Sequence, residues 1–214
     1  MASHLDLEEQ EQLDQLKHFW NKWGNLITSV LVIVLGGFAV WNGYQYWQNR
    51  QAGQSSALVT AVESAVNAGD KARIDQAFSD LRGNYGGTIQ AAQAGLLVAK
   101  AASDKGNADD AKSALTWVAE NASDDGLKAV ARLRLAALLM DGKAYDEALK
   151  QLEQKMPTEF DALVADRKGD IYLLKNEPQK AIESYRTAYQ KAEPGQEYRN
   201  VVSVKLNALG EDVK

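Results

Sequence analysis

The chain has 214 residues, 24 Lys and Arg against 29 Asp and Glu for a net charge of −5, and no cysteine. An apolar share of 45% at this length describes one folded domain with an appendage, not a disordered chain. The acidic balance argues against nucleic acid as a partner, and without cysteine there is no disulfide framework, zinc finger or thiol nucleophile.

Histidine occurs only as His4 and His18, so from Gln48 to Lys214 the chain has neither His nor Cys, which removes most transition-metal sites and every triad with an imidazole base. No catalytic residue, metal site or cofactor is expected, and an enzyme is disfavoured.

The first 23 residues read as a tail. Asp6, Glu8, Glu9, Glu11 and Asp14 make it acidic, while Leu13, Leu16, Trp20 and Trp23 recur at three- and four-residue steps, the stripe of a short amphipathic helix. Such a helix lies in the membrane interface, lies against a partner, or is a solvated lead-in; spacing leaves these open.

Between Lys22 and Arg50, 27 consecutive residues carry no charge. A helix from Leu26 to Tyr46 would be roughly 31 Å long at 1.5 Å per residue, about the thickness of a bilayer's hydrocarbon core. Trp20 and Trp23 stand at one end and Trp41, Tyr44, Tyr46 and Trp47 at the other, where indole and phenol rings favour the headgroup level. Residues 24–47 are therefore expected to cross the lipid bilayer. A buried helix of a soluble domain would need partners on all sides. A cleaved signal peptide fits worse, because its leading region should be short and basic and a small-residue cleavage site should follow. Here five acids precede the run and the bulky NGYQYWQNR follows it. Lys17 and Lys22 before the span, against Arg50 after it, place the N-terminus in the cytoplasm and the rest across the membrane. Ser29, Gly36 and Gly43 lie seven apart with Ala39 on the same face, and small residues there let another transmembrane helix approach closely. Glycine is also simply common in membrane helices.

Residues 48–214 read as helical throughout, with Pro157, Pro178 and Pro194 at helix boundaries. Four segments look alike: AGDKARIDQA ending at Ala77, KGNADDA at Ala111, DGKAYDEA at Ala148 and KNEPQKA at Ala181. Each is a polar turn leading into a helix, and the spacing is that of a helical-pair repeat. In the last unit, with Gly169 as position 8, Tyr172 falls at 11, Ala181 at 20, Tyr185 at 24 and Ala188 at 27, which resembles the tetratricopeptide repeat. Small residues at 8 and 20 let paired helices approach, and the aromatic positions fill the groove between them. Ala136, Leu139, Ala148 and Leu152 occupy these places in the preceding unit, and Ala99, Ala102, Ala111, Leu115 and Val118 in the one before. A degenerate first unit contains Ala65, Ala77 and Leu81. The expected architecture is all-α: one transmembrane helix, then an α-solenoid of about four helical pairs, closed by a capping helix whose apolar side is Tyr198, Val201, Val202, Leu206 and Leu209.

Other motifs have plain readings. Asp109-Asp110 and Asp124-Asp125 resemble catalytic carboxylate pairs, but they sit where carboxylates cap helix starts. Gly83, Gly86 and Gly87 lack the Lys-Ser or Lys-Thr and the preceding strand of a phosphate loop, which favours a flexible inter-repeat loop.

The order of parts is itself informative: an acidic tail, QLKHFWNKWGNLI, one apolar span ending in WNGYQYWQNRQ, and a repeat region containing GLKAVARLRLAALLMDGKAYDEAL and LVADRKGDIYLLKNEPQKAI. Over essentially its whole length this closely resembles the ancillary SecYEG translocon subunit family (YfgM-like proteins) of Gram-negative bacteria. The resemblance implies a single-pass inner-membrane protein with a periplasmic repeat domain. It also implies association with the Sec translocon and with a membrane-anchored periplasmic chaperone of the peptidyl-prolyl isomerase type, and it brings no catalytic motif.

In the repeat fold, positions 2, 5, 9 and 12 of each first helix usually face the concave groove. Here these are Gln93, Leu96, Lys100 and Ser103, then Val130, Leu133, Ala137 and Met140, then Leu163, Asp166, Asp170 and Leu173. Candidate partner-binding residues are Leu96, Lys100, Val130, Leu133, Ala137, Met140, Asp166 and Asp170. The middle set is apolar and suits a hydrophobic segment. No Lys/Arg cluster stands ready to clamp a carboxylate or phosphate. The plainer role for any one of them is packing against neighbouring helices. The function expected is a non-enzymatic scaffold at the translocon exit, meeting a chaperone or an emerging export client. Alternatives are an adaptor for another envelope assembly machine and a regulator that sequesters a signalling protein.

Overall fold

The computed structural model describes residues 7–195 and 197–211, and every regular element among them is helical. Asp6 of the acidic tail and the last three residues of the closing GEDVK lie outside the described residues. The chain forms two compact units, Met1–Arg50 and Gln51–Lys214.

The first unit consists of most of α1, which runs Leu7–Ala68. Its apolar side chains point outward on every side: Val32, Ile33, Val34 and Val40 are 63–74% exposed. A helix that is apolar all round and uncovered by protein suits hydrocarbon as its solvent. Its polar side chains turn back on the helix. Thr28 donates to the Gly24 carbonyl at 2.7 Å, Ser29 to Asn25 at 2.7 Å and Asn42 to Phe38 at 2.9 Å, which gives each of the three a partner within its own helix.

The second unit begins with the C-terminal part of α1 and continues through α2 (Lys71–Tyr85), α3 (Ile89–Asp104), α4 (Ala108–Asn121), α5 (Asp125–Asp141), α6 (Tyr145–Leu152), α7 (Asp161–Leu174), α8 (Pro178–Lys191) and α9 (Glu197–Ala208). Pairing is α3 with α4, α5 with α6 and α7 with α8, and successive first helices also touch, α3 with α5 and α5 with α7.

One turn repeats. Gly69, Gly106, Lys143 and Asn176 take the left-handed conformation, with φ of 68°, 75°, 59° and 59°. The next residue's N–H then reaches back five places: Asp70 to Ala65, Asn107 to Ala102, Ala144 to Leu139 and Glu177 to Tyr172, at 2.8–3.2 Å. This satisfies carbonyls that a helix end leaves open. The same turn closes α9, with Gly210 at φ 84° and Glu211 bonded to the Leu206 carbonyl at 3.1 Å. The capping helix is thus the first helix of a fifth unit, in register with the others.

These turns correct the alignment of the first unit. Ala111, Ala148 and Ala181 each follow the left-handed residue by five places and are fully buried. The equivalent place after Gly69 is Ile74, which is buried, whereas Ala77 is only half-buried. Matching alanine to alanine slid the register by three residues.

Close approach is written in the small residues. A Cβ on Gly169 would stand 2.4 Å from Cε1 of Tyr185, and one on Gly95 would stand 2.5 Å from Cγ2 of Val118. Gly83, expected in a loop, lies inside α2; Gly86 follows that helix, and a Cβ there would stand 2.5 Å from the Arg82 carbonyl oxygen and 3.4 Å from the Trp117 ring. A Cβ on Gly83 or Gly87 would meet nothing within 4 Å, so of the three only Gly86 sits against another helix's side chain. The Pro157 connection after the short α6 is held by Arg132, which donates to the Lys155 carbonyl at 2.7 Å.

Candidate functional site

The candidate partner surface is the row of first helices in the repeat unit. On α3, Leu96 is buried while Gln93, Lys100 and Ser103 are exposed. On α5, Val130, Leu133, Ala137 and Met140 are all half-buried. Val130, Leu133 and Met140 rest against the main hydrophobic core, so each side chain is shared between packing and an open surface.

Between α3, the start of α4 and α5 lies a cleft of about 440 Å³. Its apolar lining is Ala99, Leu115, Ala137 and Leu138; Lys100, Arg134 and Asp141 supply charge around it. Arg134 and Asp141 lie outside positions 2, 5, 9 and 12, the ones expected to face the groove. They flank that stripe on α5 and line the cleft.

The corresponding face of α7 is different. Leu163 and Leu173 stay exposed, but Asp166 is buried and Asp170 half-buried. Lys205 from α9 donates to both carboxylates at 2.7 Å, and the Tyr185 hydroxyl donates to Asp170 at 2.7 Å. The Lys205 ammonium also lies 5.1 Å from the centre of the Tyr185 ring. Burial, and then the hydrogen bond to Asp170, holds the Tyr185 hydroxyl well above its ordinary pKa; burial and the nearby Asp166 do the same for Tyr198. This cluster binds the chain's own fifth first helix to the fourth.

The outer side of α9 is less polar than expected. Val202 and Leu206 are fully buried and Tyr198 and Leu209 half-buried, but Val201 is 49% exposed beside Val204 at 66%. Val201 therefore belongs to the outward face and not to the packed side.

The carboxylate pairs act locally. Asp124 caps α5, accepting from the Leu127 N–H at 2.7 Å. Asp110, in the first turn of α4, pairs with Lys71 at the start of α2, and Lys112 pairs with Glu147 at 3.1 Å, so exposed ion pairs link consecutive second helices.

A stack of helical pairs with recurrent left-handed turns and small residues at the contacts defines a tetratricopeptide-type scaffold. The family model for a tetratricopeptide repeat-like domain matches residues 17–211. A protein of Neisseria gonorrhoeae called ancillary SecYEG translocon subunit is 34% identical over 98% of this chain and 100% of its own length. Proteins of the same name from Haemophilus influenzae and Escherichia coli are 28% and 26% identical, over 95% and 94% of this chain and 98% and 96% of their own lengths. The chain belongs to the ancillary SecYEG translocon subunit family, with a tetratricopeptide repeat-like domain. Its membrane anchor is the apolar stretch of α1, among the described residues the one helix long and apolar enough to cross a bilayer.

Proposed function

We propose that the protein is a non-catalytic scaffold of the Sec translocon, built as a cytoplasmic tail (1–23), a membrane span (24–47) and a periplasmic repeat domain (48–214). The observation that carries this reading is the end-to-end likeness to a relative named ancillary SecYEG translocon subunit. A scaffold of this kind acts by holding partners at high local concentration. The Lys17 and Lys22 bias supports the orientation. The partners are the translocon itself and, on the repeat domain, a membrane-anchored chaperone of the peptidyl-prolyl isomerase type or an export client.

The α5 side of the groove is the docking surface in this reading, because Leu133, Ala137 and Met140 are half open while Asp166 and Asp170 are engaged by Lys205. Apolar burial is worth about 25 cal/mol per Å², against roughly 0–1 kcal/mol for an exposed ion pair, so the apolar stripe dominates affinity. Small residues on α1 (Ser29, Gly36, Ala39, Gly43) offer a face for another transmembrane helix. A Cβ on Gly36 or Gly43 would meet nothing within 4 Å.

The test is crosslinking of the full chain in intact membranes, with the neighbours identified by mass spectrometry. Translocon subunits and one membrane-anchored chaperone are expected. Neighbours drawn from another envelope machine, or one signalling protein, would replace this reading with the adaptor or the regulator. Leu133→Ser with Met140→Ser, checked for retained helicity, should lose the chaperone crosslink and keep the translocon crosslink. Protease added to spheroplasts should digest the repeat domain and spare the tail.

A further inference from the structure

We propose that the face of α1 carrying Gln15, His18 and Lys22 binds the phosphate group of an anionic phospholipid at the edge of the bilayer. The three residues lie at three- and four-residue steps, so they form one stripe of the helix, and with Asp14, Phe19 and Trp23 they line a single surface depression.

Depth fits the ligand. Lys22 is the last charge before the uncharged run, and it stands four residues, roughly 6 Å along the axis, from Leu26. The interfacial layer outside the hydrocarbon is about 5–7 Å thick on each side, and lysine stems extend readily toward it. His18 lies one further turn out on the same stripe. Phe19 and Trp23 are 50% and 45% exposed on the adjoining strip, where their rings meet the glycerol and upper acyl region.

The charge is available. Among the described residues neither Lys22 nor His18 has a hydrogen-bond or ion-pair partner, whereas the neighbouring Lys17 is held by Asp14 at 3.2 Å, which also occupies the one acid lining the depression. An ammonium, an imidazole N–H and a carboxamide are together a donor set, and phosphate oxygens are acceptors. Trp20 folds across the opposite side of the helix, its ring 3.2 Å from where a Gly24 Cβ would stand, and leaves the seat clear.

The full chain, reconstituted in nanodiscs of equal phosphatidylglycerol and phosphatidylethanolamine, is released into the gas phase and its retained lipids are weighed. Several-fold enrichment of phosphatidylglycerol is expected. His18→Ala with Lys22→Gln should bring retention close to parity, Lys22→Arg alone should keep the enrichment, and Lys17→Gln should change it little. Parity for the unaltered protein, or undiminished enrichment in the double variant, overturns the proposal. Loss of enrichment in excess inorganic phosphate would assign the seat to free phosphate and overturn the lipid assignment.

Discussion

The α5 and α7 helices occupy the same place in consecutive repeats, yet their concave faces have opposite fates. On α5 positions 5 and 9 are Leu133 and Ala137, both half-buried, and Ala137 lines the cleft beside α3. On α7 they are Asp166 and Asp170, closed by Lys205 of the next first helix. The lesson concerns chemistry at equal geometry. An apolar position can stay half open, because exposing part of a leucine has a modest cost. A carboxylate pushed into a contact must be matched by a cation and hydrogen bonds, and once matched it is no longer available to a partner.

Five substitutions sharpen this comparison. The largest effect is expected where the fourth unit is tightest. Gly169→Val drives a side chain into the Tyr185 ring and should cost about 3 kcal/mol, lowering the melting temperature by roughly 6–12 °C; Ala181→Leu should act in the same direction. An unchanged melt for both would mean that the repeat register is wrong.

Next is Lys205→Met, which removes the ammonium shared by the neighbouring α7 carboxylates Asp166 and Asp170, 11% and 23% exposed, and leaves only the Arg167 cation at 3.5 Å beside Asp170. Breaking a fully buried pair costs 3–5 kcal/mol; with Lys205 itself 29% exposed, about 1–3 kcal/mol is expected here, read by denaturant titration. Faster amide exchange confined to α9 should accompany it, since α9 would lose its latch while α5 keeps its packing.

Tyr185→Phe removes the hydrogen bond to Asp170 and should cost about 1 kcal/mol at neutral pH. It should also change the alkaline limb. Tyr185 has its pKa raised in the folded state, so its contribution is complete below the unfolded value of about 10 and declines as pH rises through the folded value. The unaltered protein should therefore lose stability above about pH 10 more steeply than Tyr185→Phe does. Equal slopes would show that the hydroxyl titrates normally.

The smallest effect is expected on the exposed side of the stack. Lys112→Ala breaks the pair with Glu147, whose side chains are 49% and 59% exposed, and should shift stability by no more than about 0.5 kcal/mol. A loss several times larger would mean that the ion pairs linking second helices act as a network.

Much of this molecule was legible before any coordinates. Uncharged length and flanking aromatics marked the helix that is long and apolar enough to cross a bilayer, because the bilayer's thickness sets the length such a helix needs. Recurrent turns and small residues located the helical pairs, because a solenoid repeats one local solution. Composition alone argued against imidazole and thiol chemistry. Three matters were decided only by tertiary packing. The first unit's register depended on which side chain sits under the next helix: Ile74 fills the place that alanine fills elsewhere, and residue identity misled where geometry did not. Whether α9 closes the stack as a plain cap or as a fifth repeat element depended on the Gly210 turn and on Lys205 reaching residues 35 and 39 places earlier. Which groove residues remain open depended on neighbours distant in sequence. Spacing fixes the face of a helix on which a side chain lies, but what covers that face is set by helices whose approach depends on every contact between them.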